Sequence, residues 1–207
     1  MESSWLNELK RLHAIAATGR NFCDSEYDRE RYEEALSIAG RLLADLGGTS
    51  IDRINNLVPE YAKGYATPKI DVRGALIDGD RILLVKEATD EKWTLPGGYA
   101  EVGITPARNV EKEMFEEAHV KVTAKRLYAV RHKAAHAYKP DVRDFYKMFF
   151  LCEADSPVEP APGIETLDVG WFTLESLPPL SRGRIIEADL VDAFKAKPAI
   201  TWETRFD

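Results

Sequence analysis

The stretch that most constrains this chain runs from Gly97 to Val120, GGYAEVGITPARNVEKEMFEEAHV. A glycine pair leads into a loop, and Thr105-Pro106 then opens a helix. Threonine caps a helix start through its side-chain oxygen, and proline is pre-set for the first helical position. Ala107, Val110, Met114 and Ala118 recur at helical spacing, which predicts one buried face. Glu113, Glu116 and Glu117 stand at i, i+3 and i+4 on the edge of a different face. Like charges so placed cost a helix a few tenths of a kcal/mol per pair. A divalent cation between them reverses the sign, because hard ions take carboxylate oxygens together with substrate phosphates. For a bare E-x-x-E-E, a solvated acidic face is the better reading. The glycine pair at a fixed distance before the helix shifts the balance toward a site.

These residues resemble the signature of the Nudix hydrolases, G-x5-E-x7-R-E-U-x-E-E-x-G-U, where U is apolar. Aligned on Gly98, the chain keeps Glu113, Met114, Glu116, Glu117 and Val120. Ile104 stands in place of the first glutamate, Lys112 in place of arginine and His119 in place of the late glycine. Lys112 keeps the positive charge without the bidentate fork. Ile104 removes one carboxylate. His119 falls where a helix end favours a left-handed backbone, a conformation strained for any residue but glycine.

The 207 residues suffice for one large domain or one domain with a small accessory. A hydrophobic share of 44% and a charged share of 30% are those of a soluble globular protein. A formal net charge of −7 argues against a broad nucleic-acid surface, though not against a local basic groove. The two cysteines, Cys23 and Cys152, lie too far apart in sequence to suggest a disulfide framework or zinc site, and are read as free thiols. MESSWLNELK lacks the basic start and apolar run of a signal peptide, and no apolar run has membrane-spanning length. A cytoplasmic location is therefore expected.

Along the chain, a first amphipathic helix is predicted over 4–18, with a stripe of Trp5, Leu9, Leu12 and Ala16, ended by Gly19. A second runs from about Asp28 to Leu46, with Leu36, Leu42 and Leu43 on its stripe and Gly47-Gly48 as its stop. Ser50 caps a short third helix carrying Ile51, Ile54, Leu57 and Val58. Tyr61–Lys69 reads as a linker. Strands follow at Ile70–Ile77 and Arg81–Lys86, joined by an Asp78-Gly79 turn, then at Lys121–Arg131, Asp144–Glu153 and 169–174. A final helix is predicted over Gly183–Lys195. Strands around one helix with a second at the end suggest an α/β sandwich.

That agrees with the fold the resemblance implies: a Nudix-type α/β/α sandwich with a mixed sheet over 67–207, preceded by a small all-α domain over 1–66. The helical part and the variant box together resemble the Nudix subgroup that includes bacterial CDP-choline pyrophosphatases. The residues that carry this are LHAIAATGRNFCDSEYDRERYEEA, WTLPGGYAEVGITPARNVEKE and FYKMFFLCE. About 60 helical residues are marginal for a core of their own. Their stripes pack either on the second domain or on the same helices of another copy, as a homodimer.

The resemblance implies attack of water on a phosphoanhydride assisted by Mg²⁺ or Mn²⁺. Glu116 and Glu117 are the first candidate ligands, with the Gly98 carbonyl a further one. Glu113 is either a ligand or the base that orients water. Lys112 positions a glutamate or forms a plain i,i+4 pair with Glu116. A distal carboxylate is expected, with Glu165 first and Glu153 second. The segment 131–147 gathers Arg131, His132, Lys133 and other cations in an acidic protein, suiting either a phosphate grip or a solvated loop. Trp93 and Tyr99 are candidates for stacking on a base, with core packing the competing role for Trp93. The leading substrate is a nucleoside diphosphate linked to a small group, CDP-choline favoured. Alternatives are ADP-ribose, nucleotide sugars, RNA ends, or nucleotide binding with weak catalysis.

Overall fold

The computed structural model describes residues 4–55, 66–101, 103–155 and 157–207. They divide into two compact units. One comprises the residues up to Lys69 with Lys139–Asp144, the other Ile70–Tyr138 with Phe145–Asp207.

The first unit is helical: α1 Ser4–Phe22, α2 Glu26–Gly47 and the short α3 Ile51–Asn55. Ser25 caps α2, its hydroxyl accepting from the Asp28 N–H at 3.4 Å, and Gly48 closes it at φ 56°. Two expectations change. Helix α1 runs through Gly19 to Phe22, because the Tyr32 ring of α2 lies where a side chain at Gly19 would be. The buried face of α1 is Leu6, His13 and Ala16 with Leu9 beside it, while Trp5 is 75% and Leu12 43% exposed. Leu6, Leu43, Ala44, Ile54 and Val142 form the core of this unit. Leu42 and Leu46 of α2 also face out. The readings of Leu57 and Val58, and most of the linker reading, lie outside the described residues.

The second unit holds the sheet. Its strands are β1 Lys69–Asp78, β2 Arg81–Glu87, β3 Trp93–Thr94, β4 Val122–His132, β5 Phe145–Ala154 and β6 Thr166–Phe172. Their order is β3-β2-β1-β5-β4, with β6 antiparallel to β2. Helix α4, Pro106–Ala118, covers one face and α5, Glu187–Ala196, the other. The alternation along each strand sorts the two cores. Val72, Leu76, Leu83, Val85 and Phe150 meet Val110, Met114 and Ala118 of α4. Ala75, Ile77, Ile82, Leu84 and Phe149 meet Leu190 and Ala193 of α5. A one-residue slip would exchange these faces, so burial on both sides fixes the register. Helix α5 begins four residues later than its sequence pattern suggests. Ile186 is its cap, its N–H bound by the Asp189 carboxylate at 2.8 Å. Both cysteines are free thiols.

Candidate active site

The start of α4 follows its sequence closely. Thr105 accepts from the Arg108 N–H at 3.2 Å, and His119 takes the left-handed C-terminal position at φ 54°. Between β3 and α4, the chain runs beside β1. Gly74 N–H donates to Pro96 O, Val72 N–H to Gly98 O and Ala100 N–H to Ile70 O, each at 2.9 Å. This ladder carries the glycine pair under the acidic edge of α4.

Close approach explains both glycines. A Cβ at Gly97 would lie 2.0 Å from the Val72 carbonyl oxygen, and one at Gly98 would lie 2.7 Å from Glu113 Oε1. The Gly97 N–H donates to Glu117 Oε2 at 2.9 Å. The Gly98 carbonyl, a candidate metal ligand, already accepts from Val72, so a cation there would use its second lone pair.

A second loop closes the end of α4. Ala161 N–H donates to Ala118 O and Gly163 N–H to Glu117 O, both at 3.1 Å, and the Thr166 hydroxyl donates to Glu117 O at 2.8 Å. These bonds satisfy carbonyls that every helix end leaves orphaned. The same loop carries Glu165, whose charge acts on Glu87. Glu153, the second candidate, sits 3.8 Å from Lys125 at the far end of β5.

Glu117 is 7% exposed, and burial pushes its pKa up to about 7 against the pull of Arg73 and the Gly97 N–H. Burial also raises Glu113, with Arg73 opposing. Glu116 is half exposed and 3.1 Å from Lys112, which also lies 2.6 Å from Glu101. The hydrogen bonds that Lys112 donates to Glu101 and Glu116 push its pKa up. So Lys112 makes the i,i+4 pair and adds a tie to the loop. Among the described residues, no three carboxylates, histidines or thiols stand in ready ligand geometry. The donors present are hard oxygens, two of them desolvated, a set suited to a divalent cation once Glu116 leaves Lys112.

Residues 67–194 match the family model described as the NUDIX domain. The chain belongs to the Nudix family. Residues 3–58 match a second model, "UDP-X-like, N-terminal oligomerisation domain". The chain is 42% identical over 185 residues to YjhB of Bacillus subtilis (strain 168), provisionally named an ADP-ribose pyrophosphatase, covering 89% of this chain and 88% of that one. It is 40% identical to a Streptococcus suis protein solved as an ADP-ribose pyrophosphatase, at TM-score 0.62, over 68% of this chain and all of that one. A solved UDP-X diphosphatase is similar over 98% of this chain and 97% of its own, at 28% identity and TM-score 0.63. Nudix homologues of this kind are pyrophosphatases acting on phosphoanhydride bonds, and the chain is a Nudix hydrolase.

Within the Nudix domain, the residues expected to bind substrate separate. Arg131 turns to α5, 3.3 Å from Asp189 and 2.6 Å from Asp192, because two buried carboxylates there need a cation. Trp93 packs edge-on against Phe172 at 4.7 Å between ring centres and beside the α5-side core, the packing role. His132 meets the Tyr146 ring, and its N–H is bound by the Asp207 carboxylate. Lys133 is buried with its ammonium 4.8 Å over the Phe145 ring. Tyr99 stacks on that same ring at 5.8 Å and remains half exposed, directly after Gly98.

Three residues around the candidate site escaped the sequence reading. Arg73 on β1 is 5% exposed and acts on Glu87, Glu113 and Glu117. Glu87, at the end of β2, is buried and 2.8 Å from Arg184. Asn109 holds the box loop, accepting from the Glu101 N–H at 2.9 Å and donating to Tyr99 O at 3.3 Å. The available signal was polarity inside otherwise apolar patterns: Asp71 and Arg73 two apart on one strand face, and Asn109 on a buried helix face.

Proposed function

We propose that the chain hydrolyses the diphosphate bridge of a nucleoside diphosphate linked to a second small group, with Mg²⁺ or Mn²⁺ held by Glu113, Glu116 and Glu117. The observation that carries this reading is the juxtaposition of Glu113 and Glu117 with Gly97-Gly98. Two desolvated carboxylates lie there against a glycine pair, one accepting from the Gly97 N–H and the other packed close on Gly98. A bound divalent ion supplies charge for the developing phosphoryl oxygens and acidifies water.

The chain's own residues divide the remaining work. Glu117 is held for ligation by the Gly97 N–H, and the Gly98 carbonyl adds a backbone oxygen. Glu113 is a ligand or the base that orients water. Lys112 anchors Glu101 until Glu116 is drawn inward. Glu165 is the distal carboxylate, which takes a proton from water or steadies it. Tyr99 and Lys133, gathered on Phe145, are the residues for the nucleotide contact, while Trp93, Arg131 and His132 are engaged with Phe172, with Asp189 and Asp192, and with Asp207.

The names of the relatives put ADP-ribose ahead of CDP-choline as the substrate to try first. The chain divides functionally at 66/67, with the helical part pairing two copies as a homodimer. That reading is supported by the second match and by exposed Trp5, Leu12, Ile38, Leu42 and Leu46. Cytoplasmic nucleotide pools fit it. No helix among the described residues is long and apolar enough to cross a membrane.

The test is a substrate panel of ADP-ribose, CDP-choline, UDP-sugars and capped RNA with Mg²⁺ or Mn²⁺, reading released nucleoside monophosphate. Turnover of at least one member is expected. Failure on all of them by folded protein that binds Mn²⁺ would favour the nucleotide-binding reading, which the missing carboxylate at Ile104 motivates.

A further inference from the structure

We propose that Arg73 is a positioning residue for hydrolysis, locked by Asp71 and Lys147 so that the loop 95–98 holds Glu117 in its working orientation. The inference rests on Glu117 serving as proposed above.

The geometry forms one continuous path through the sheet. Lys147 on β5 is 2% exposed and pairs with one oxygen of Asp71 on β1. The other Asp71 oxygen takes the Arg73 Nε at 3.0 Å and a terminal nitrogen at 2.9 Å. The remaining terminal nitrogen of Arg73 donates to the Leu95 carbonyl at 3.1 Å. The arm of Arg73 lies under Gly97, its Cδ 3.0 Å from where a Cβ there would sit. Gly97 in turn donates to Glu117.

Charge balance supports the same role. Arg73 and Lys147 both pair with the single Asp71 carboxylate, and burial pushes the Lys147 pKa down, so the guanidinium is the lasting charge on Asp71. Asp189 acts on Lys147 from the α5 side, and Glu87, Glu113 and Glu117 face Arg73. Lysine does not replace arginine here. One ammonium cannot span Asp71 and the Leu95 carbonyl with fixed planar geometry.

The test is a double-mutant cycle on the full chain with Arg73→Lys and Glu117→Gln. The readouts are kcat and KM on the best panel substrate, Mn²⁺ binding by electron paramagnetic resonance without substrate, and thermal melting. Arg73→Lys is expected to lower kcat by roughly 10- to 100-fold, the scale of small misplacements at a reacting centre. KM should change little, and Mn²⁺ binding should weaken. In the Glu117→Gln background the same substitution should cost almost nothing more, because Arg73 acts through Glu117. Losses that multiply, or a folded Arg73→Lys protein with unchanged kcat and Mn²⁺ binding, overturn the proposal. If Arg73→Lys does not fold, Asp71→Asn loosens the same guanidinium, and its cycle with Glu117→Gln measures the same coupling, with the same outcomes for and against. A Glu117→Gln protein of full activity would instead show that the proposed site itself is at fault.

Discussion

Gly97 and Glu117, 20 residues apart, meet through a 2.9 Å bond from the glycine N–H to Glu117 Oε2. It fastens the loop before α4 to the last turn of that helix. A buried acceptor at this position is satisfied by a backbone donor rather than by a side chain. The bond also opposes the effect of burial on the Glu117 carboxylate.

Glu117→Gln should lower turnover by about 10²-fold or more, the scale of losing one well-placed electrostatic group. Chelation of divalent ions should abolish activity, and added Mg²⁺ or Mn²⁺ should restore it. Steady-state assays before and after dialysis against chelator check both. Full activity under either treatment would falsify the metal mechanism.

Glu117 binds its proton more tightly in the folded state, with its pKa raised to about 7 from an ordinary 4.5. Stability from this group is therefore complete below pH 4.5 and is lost as the pH rises through 7, by on the order of 3 kcal/mol. In metal-free protein, Glu117→Gln should flatten that dependence and raise Tm at about pH 8 relative to wild type. Melting curves from about pH 5 to pH 8 decide it. A glutamine variant that melts below wild type at the alkaline end would contradict the assignment of burial as the dominant effect.

Gly163 is the contact point of the second loop. A Cβ there would lie 1.8 Å from the Glu116 carbonyl oxygen. Gly163→Ala should therefore lift residues 161–166 from the end of α4 and displace Glu165, costing about 1–3 kcal/mol as overpacking does. Turnover should fall while Mn²⁺ still binds to Glu113, Glu116 and Glu117. Chemical denaturation and metal titration of the variant provide the check. Unchanged stability and turnover would mean the loop does not serve the site.

The apolar residues left exposed on α1 and α2 predict self-association. Trp5 at 75% and Leu46 at 55% exposure are unusual for a helical face with no partner. Sedimentation at tens of micromolar should give a dimer for the full chain and a monomer for a chain beginning at Ala66. A monomeric full chain, or a dimeric shortened one, would assign the helices another role.

Much of the fold was legible because its signals are local. The Thr105-Pro106 start of α4, the Asp78-Gly79 turn, the stop at Gly48 and the alternation along β1 and β2 each depend on neighbours a few residues away. The same holds for the glutamates of α4, whose spacing alone puts them on one edge. Where two local patterns competed, sequence was less decisive. Trp5–Leu9–Leu12 and Leu6–Leu9–His13 both fit a helical stripe, and the packing of Leu6 with Leu43 and Val142 selected the second.

The sequence by itself therefore determined the acidic helix, the glycine loop beneath it and the two-part organisation suggested by their surroundings. Tertiary structure decided which charges serve that helix. Arg131 stood in the most basic segment, yet its partner Asp192 lies 61 residues away, on the other side of the sheet from α4. Arg73, in a strand that reads as core, faces the glutamates because Asp71 and Lys147, 76 residues apart, hold it there. Periodicity and capping act over one or two turns of chain. Ion pairing of buried groups depends on which distant segments share a low-dielectric interior, and that is settled only when the sheet is assembled.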